Sequence, residues 1–125
     1  MVDVGRLGAD GPLRDDTPRR WKEQRYRDAQ DRFVERLREV AHSCGYAVAI
    51  HGSRQRDLDL VAVPWVAEAI NPYQLVDAIC ERCDLFLKPE EPELITNPER
   101  KPNGRISWAL CGAPACDYLD LAVFA

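Results

Sequence analysis

The chain has 125 residues, a length that supports one domain with a buried core but not two. Apolar residues make up 46% and charged residues 30%, an ordinary soluble composition, and the net charge of -4 disfavours indiscriminate binding to nucleic acid or anionic membrane. No run approaches the roughly 18 apolar residues of a membrane span, and the N-terminus lacks the apolar stretch of a signal peptide.

Residues 1–20 carry Gly5, Gly8, Gly11, Pro12 and Pro18 among mixed charges. They hold too little apolar area to offset ordering entropy and read as a mobile arm ahead of a single domain, 21–125. A helix is expected from about Thr17 or Pro18, an N-cap and first turn, to Ser43, with Gly45 as its stop. Phe33, Leu37, Val40, Ala41 and Cys44 form its apolar stripe, continued upstream by Tyr26 and Ala29. The other face mixes arginines such as Arg25, Arg32 and Arg36 with Asp28, Asp31 and Glu35, pairing for example Asp28 with Arg32. That pattern suits a solvated, ion-paired surface, or alternatively a strip that contacts RNA or a partner.

Tyr46 to Ile50 reads as a first strand and Asp57 to Val63 as a second, closed by Pro64. Asn71 as N-cap and Pro72 at the first position open a second helix running to about Cys83. Leu85 to Leu87 suits a brief strand, and the proline-rich stretch from Lys88 to Gly104 a long surface loop. Arg105 to Leu110 and Tyr118 to Phe124 complete an α+β domain, a mixed sheet of four or five strands with helices packed on one side. Five irregularly spaced cysteines suit reduced thiols in a cytoplasm better than a secreted disulfide framework. Cys80/Cys83 and Cys111/Cys116 read as buried thiols, with a zinc site as the rival, and Trp65 and Trp108 as packing residues.

The chemistry concentrates at Ile50-His51-Gly52-Ser53, a strand end running into a tight turn, and at Asp57-Leu58-Asp59-Leu60 just beyond it. In a strand, Asp57 and Asp59 project to one side, roughly 6.5–7 Å apart along the chain. Val61 and Val63 are expected to carry that side into the core, with Leu58, Leu60 and Ala62 on the other, as in a central strand apolar on both faces. Asp120 is a lone acid in the last strand's apolar run, and an isolated carboxylate there needs a metal, a cation or a hydrogen-bonded edge position. If the last strand lies beside the second, three acids converge and suit a divalent ion such as Mg²⁺. The competing arrangement pairs Asp57 with Arg54 or Arg56 and Asp120 with Arg105. His51 reads as a packed or turn-bonding histidine, with a substrate contact as the alternative.

Gly52-Ser53, then Asp57-Leu58-Asp59-Leu60, then Leu119-Asp120-Leu121 resemble the three motifs of nucleotidyltransferases of the DNA polymerase β-like superfamily. The wider pattern from His51 to Trp65, with Lys101-Pro102-Asn103-Gly104-Arg105 downstream, is similar to small proteins of phages and prophages. The resemblance covers about residues 30–124 and implies a nucleotidyltransferase-like sheet. It implies transfer of a nucleotidyl group from a nucleoside triphosphate to an acceptor hydroxyl on a small molecule, RNA or protein. Asp57, Asp59 and Asp120 would then be catalytic and bind Mg²⁺, or Mn²⁺, with Asp120 also helping to deprotonate the acceptor. Gly52 and Ser53 would hold the triphosphate, and Arg54, Arg56, Lys101 and Arg105 would neutralise its charge. No membrane partner is implied, and the setting would be cytoplasmic, in the host if phage-encoded. The resemblance is equally compatible with a catalytically inactive module that binds a nucleotide, RNA or a host protein, as a phage regulatory or counter-defence protein.

Overall fold

A computed structural model describes residues 16–54, 57–87 and 98–125. The chain runs α1 (Asp16–Ser43), β1 (Tyr46–His51), β2 (Asp57–Pro64), α2 (Pro72–Cys83), β3 (Phe86–Leu87), β4 (Glu99–Lys101), a 3₁₀ turn (Pro102–Gly104), β5 (Arg105–Cys111) and β6 (Tyr118–Phe124). The strands form one six-stranded mixed sheet in the order β1-β2-β6-β5-β3, with β4 also pairing with β5. Among the described residues only the β2–β6 pair is parallel; β1–β2, β3–β5, β4–β5 and β5–β6 are antiparallel. The domain is therefore α+β, with six strands where four or five were expected. The difference comes from Glu99–Lys101, which pairs with Arg105–Ser107 inside the stretch read as loop. Proline density marks where a chain cannot continue a ladder, but it does not exclude a short edge strand between prolines.

The core lies between the two helices and one face of the sheet. Leu37 and Ala41 of α1, Leu75 and Ile79 of α2, and Leu58, Leu60, Leu119 and Leu121 of the central strands are all fully enclosed. Burial alternates along most of β2 and the first half of β6, as expected for a sheet with one covered face, while Leu121 to Val123 are buried on both faces. This corrects the facing of β2. Leu58, Leu60 and Ala62 turn inward, whereas Val61 is only half-buried and Val63 is exposed. Both parities of that strand are apolar beyond Asp59, so alternation alone could not choose between them; the helices settle the choice by covering the leucines.

The first helix begins at Asp16, so residues 16–20 belong to it rather than to an arm, while the rest of the expected arm, 1–15, lies outside the described residues. Its buried stripe is Gln30, Val34, Leu37, Val40 and Ala41, shifted from the expected one: Phe33 is only partly buried and a glutamine is enclosed. Of the expected helix-surface pairs, Asp31 instead binds Arg54 across the fold at 2.8 Å. In α2 the Asn71 carboxamide accepts from the Gln74 backbone N–H at 2.9 Å, and the Gln74 side chain accepts from the Asn71 N–H at 3.1 Å. This reciprocal box satisfies two otherwise orphaned donors and fixes the start of the helix. Tyr46 is buried and donates from its hydroxyl to the Ile70 carbonyl at 2.7 Å, tying β1 to the entry of α2. Among the described residues, no helix is long and apolar enough to cross a membrane.

Candidate functional site

The parallel pairing of β2 and β6 brings two strand starts to the same end of the sheet. Asp57 lies opposite Tyr118, and Asp59 lies opposite Asp120. Directly opposed residues on neighbouring strands share a face, so Asp59 and Asp120 stand side by side with Asp57 one pleat away. This is the face away from the helices. Asp57 and Asp120 are exposed there and Asp59 is half-buried, although further along the same face Ser107 and Ala122 are buried. On the other flank β1 ends with His51 opposite Asp59. His51 is exposed on the acid side rather than packed, as its alternation with the inward Tyr46, Val48 and Ile50 would indicate.

The electrostatics follow from this placement. Partial burial pushes the Asp120 carboxyl above its ordinary range, and the negative charge of Asp59 beside it pushes the same way. Asp57 adds to the rise, whereas Lys101 and His51 act against it. The ion pairs Arg38–Glu35, Arg54–Asp31 and Lys101–Glu99 do not engage the three acids. Of the expected alternative, neither Asp57 with Arg54 nor Asp120 with Arg105 is among these pairs, and Asp57 with Arg56 lies outside the described residues.

Gly52 follows β1 with φ +83°, and a Cβ built on it would sit 2.8 Å from Asp59 Oδ2. The residue thus needs glycine for two reasons, the left-handed backbone and the carboxylate resting against its Cα. Ser53, next in line, is exposed. Arg54 turns away towards α1, its Nε donating to Gln30 Oε1 at 3.1 Å and an Nη to Asp31 Oδ1 at 2.8 Å. Arg56 lies outside the described residues. Lys101 sits opposite Arg105 at the β4–β5 edge and pairs with Glu99 at 3.3 Å. Arg105 lies opposite Phe124, towards the far end of β6, because it is Ala109 that faces Asp120. Its Nε is buried and has no hydrogen-bond partner among the described residues. The structure therefore gathers Gly52, Asp57, Asp59, Asp120 and His51, brings the charge of Lys101 to bear on Asp120, turns Arg54 towards α1, and leaves Arg105 on the acid face but four residues along β5 from the residue opposite Asp120.

Hard carboxylate oxygens on adjacent strands suit Mg²⁺, which is commonly held by one or two carboxylates with substrate phosphates completing the shell. Asp59 and Asp120 meet that donor requirement. Among the described residues, no three His, Cys, Asp or Glu side chains form a ready-made metal group, the cysteines included. Burial pushes the thiols of Cys80 and Cys116 up to about 11, which disfavours the thiolate that zinc requires. Trp108 packs as expected, edge-on to Tyr73 at 5.5 Å between ring centres, whereas Trp65 is more than half exposed and stacks on His42 at 4.8 Å. A groove of about 450 Å³ lies away from the acids, between α1 and β1, lined by Arg38, Glu39, His42, Tyr46, Ala47 and Val48.

Set against known proteins, the chain matches no family model, and no curated protein matches it significantly.

Proposed function

We propose that this chain is a nucleotidyltransferase-like protein that uses Mg²⁺ to transfer a nucleotidyl group from a nucleoside triphosphate to an acceptor hydroxyl. The observation that supports this reading is the side-by-side register of Asp59 and Asp120 at the strand ends, with Gly52 pressed against Asp59. Glycine beside a carboxylate lets main-chain amides of the 52–54 turn approach a phosphate that the carboxylate also addresses through an ion. Bound Mg²⁺, held by Asp59 and Asp120 with Asp57 in support, would offset charge on the attacking and leaving oxygens. Asp120 has a carboxyl shifted upward by burial and by its neighbours, which suits it to accept a proton. It takes the proton of the acceptor hydroxyl as that oxygen bonds to the α-phosphorus and the bond to the pyrophosphate oxygen breaks. Lys101 supplies positive charge on the same side, as its influence on Asp120 indicates.

One observation favours a second reading. Arg54 is committed to Gln30 and Asp31 instead of facing the acids, as suits a catalytically inactive module that binds a nucleotide, RNA or a host protein. A titration with a non-hydrolysable nucleoside triphosphate, with and without Mg²⁺, together with a pyrophosphate-release assay, separates the two. The enzyme shows Mg²⁺-dependent binding and release, both lost in Asp59→Asn. Partner binding that survives Asp59→Asn without any pyrophosphate release selects the module. Nucleotide binding whose heat is unchanged in Asp59→Asn would count against the carboxylate site itself.

A further inference from the structure

Four described residues other than glycine have positive φ: Arg54, Asp84, Asn103 and Ala115. Asp84 caps α2 and Asn103 lies in the 3₁₀ turn, and short polar side chains of this type tolerate that conformation. Arg54 (φ +64°) and Ala115 (φ +62°) have no such excuse, and each is held in an unfavourable backbone state by something outside itself. They lie on different loops. Arg54 follows the Gly52-Ser53 turn out of β1, and Ala115 lies between β5 and β6, just before the strand that carries Asp120.

Both are bound by the same side chain. Gln30 of α1 is 2% exposed; its Oε1 accepts from Arg54 Nε at 3.1 Å, and its Nε2 donates to the Ala115 carbonyl at 2.9 Å. The orientation of the amide follows from its partners, since a guanidinium can only donate and a carbonyl can only accept. Asp31, the next residue, holds a second nitrogen of Arg54. Within the Ala115 loop the Cys116 thiol donates to the Ala113 carbonyl at 3.9 Å.

We infer that Gln30 is a positioning residue that couples the two loops bordering the acid end of the sheet, so that 52–54 and 113–117 hold and loosen as one unit. Given the nucleotidyl-transfer reading, on which the functional part of this inference rests, one loop flanks the triphosphate and the other flanks the acceptor side at Asp120. The amide then sets the width between them. Its two ends can be cut separately. In Gln30→Glu the side chain still accepts from Arg54 but presents an oxygen to the Ala115 carbonyl, whereas Gln30→Met removes both bonds and Arg54→Ala removes one from the exposed side.

The experiment is amide hydrogen exchange and ¹⁵N relaxation on the whole chain without nucleotide or metal, followed by titration with a non-hydrolysable ATP analogue and Mg²⁺. Gln30→Glu should speed exchange around 113–117 roughly five- to tenfold, the loss of one buried hydrogen bond, and should speed 52–54 with it. Arg54→Ala, far from that loop in sequence, should speed 113–117 as well as its own turn. Gln30→Met should loosen both loops together. Exchange at 113–117 that ignores Arg54→Ala, or exchange at 52–54 that ignores Gln30→Glu, overturns the coupling even if Gln30→Met fails to fold. The titration is read separately. Coupled loops in a protein that binds no ATP analogue uphold the clamp and remove the nucleotidyl-transfer reading, whereas uncoupled loops remove the clamp whatever the titration gives.

Discussion

The two faces of the β2–β6 pair make opposite demands on the same short stretches of chain. Leu58, Leu60 and Ala62, with Leu119, Leu121 and Val123, are fully enclosed against the helices. One residue along, Asp59 and Asp120 are placed side by side on the other face, with Asp57 close by. The first set is explained by burial, since each enclosed aliphatic side chain contributes about 1.5–3 kcal/mol. The second set is not, because like charges directly opposite one another on neighbouring strands are destabilising. Where a fold keeps an arrangement that stability alone would remove, a function is the natural place to look for its cause.

The contrast can be tested by damaging each face in turn. Leu60→Ala should have the largest effect, a loss of about 2–5 kcal/mol in a urea titration, because it empties space in the middle of the core. A loss below about 1 kcal/mol would mean that the covered face is not the one that holds the fold together. Gly52→Ala comes next. It combines a left-handed backbone costing about 1–2 kcal/mol with a Cβ placed 2.8 Å from Asp59 Oδ2. Gly104→Ala is its control, at φ +74° with nothing within 4 Å of the added carbon, and so carries the backbone cost alone. The excess destabilisation of Gly52→Ala over Gly104→Ala measures how firmly Asp59 rests against the turn. Equal losses in the two would show that the carboxylate simply moves aside.

Much of this was legible in the sequence, for reasons that can be named. The Asn71-Pro72 start of α2 was visible because capping chemistry is local. The last strand was visible because Leu119, Leu121 and Val123 alternate around Asp120 after the Gly/Pro turn of 111–116. The acids could be grouped because strand spacing puts Asp57 and Asp59 on one side, but their meeting with Asp120 depended on β6 choosing β2 as its parallel neighbour. That choice is a matter of topology, which no local pattern encodes. The facing of β2 was misread because Val61 and Val63 are as apolar as the Leu60 and Ala62 that alternate with them. Gln30 was missed outright: on a helix full of charged residues nothing local marks a glutamine as buried, and its role arises from loops that are distant in sequence. Arg54 was placed with the phosphate binders because its neighbours are Gly52 and Ser53, yet Asp31 and Gln30 claim its side chain.

The smallest expected effect is the most discriminating, because it changes sign relative to the others. Burial and the charge of Asp59 raise the Asp120 carboxyl above its unfolded value, so the folded protein disfavours the ionised form that prevails at neutral pH. A raised folded value gives stability that is fully present below the ordinary carboxylate range and is lost as pH rises through the shifted one. Asp120→Asn removes the charge that causes this loss. The variant should therefore be more stable than the parent at pH 7, by less than about 1 kcal/mol once solvent screening is allowed for, with the gain fading below about pH 4. Thermal melts across that range check it. A parent that is the more stable at pH 7 would show that the carboxylate already has a favourable cation partner, and the two faces would no longer differ in kind. A variant that is steadier at pH 7 yet binds no Mg²⁺-nucleotide would show stability and function drawn from opposite sides of one strand.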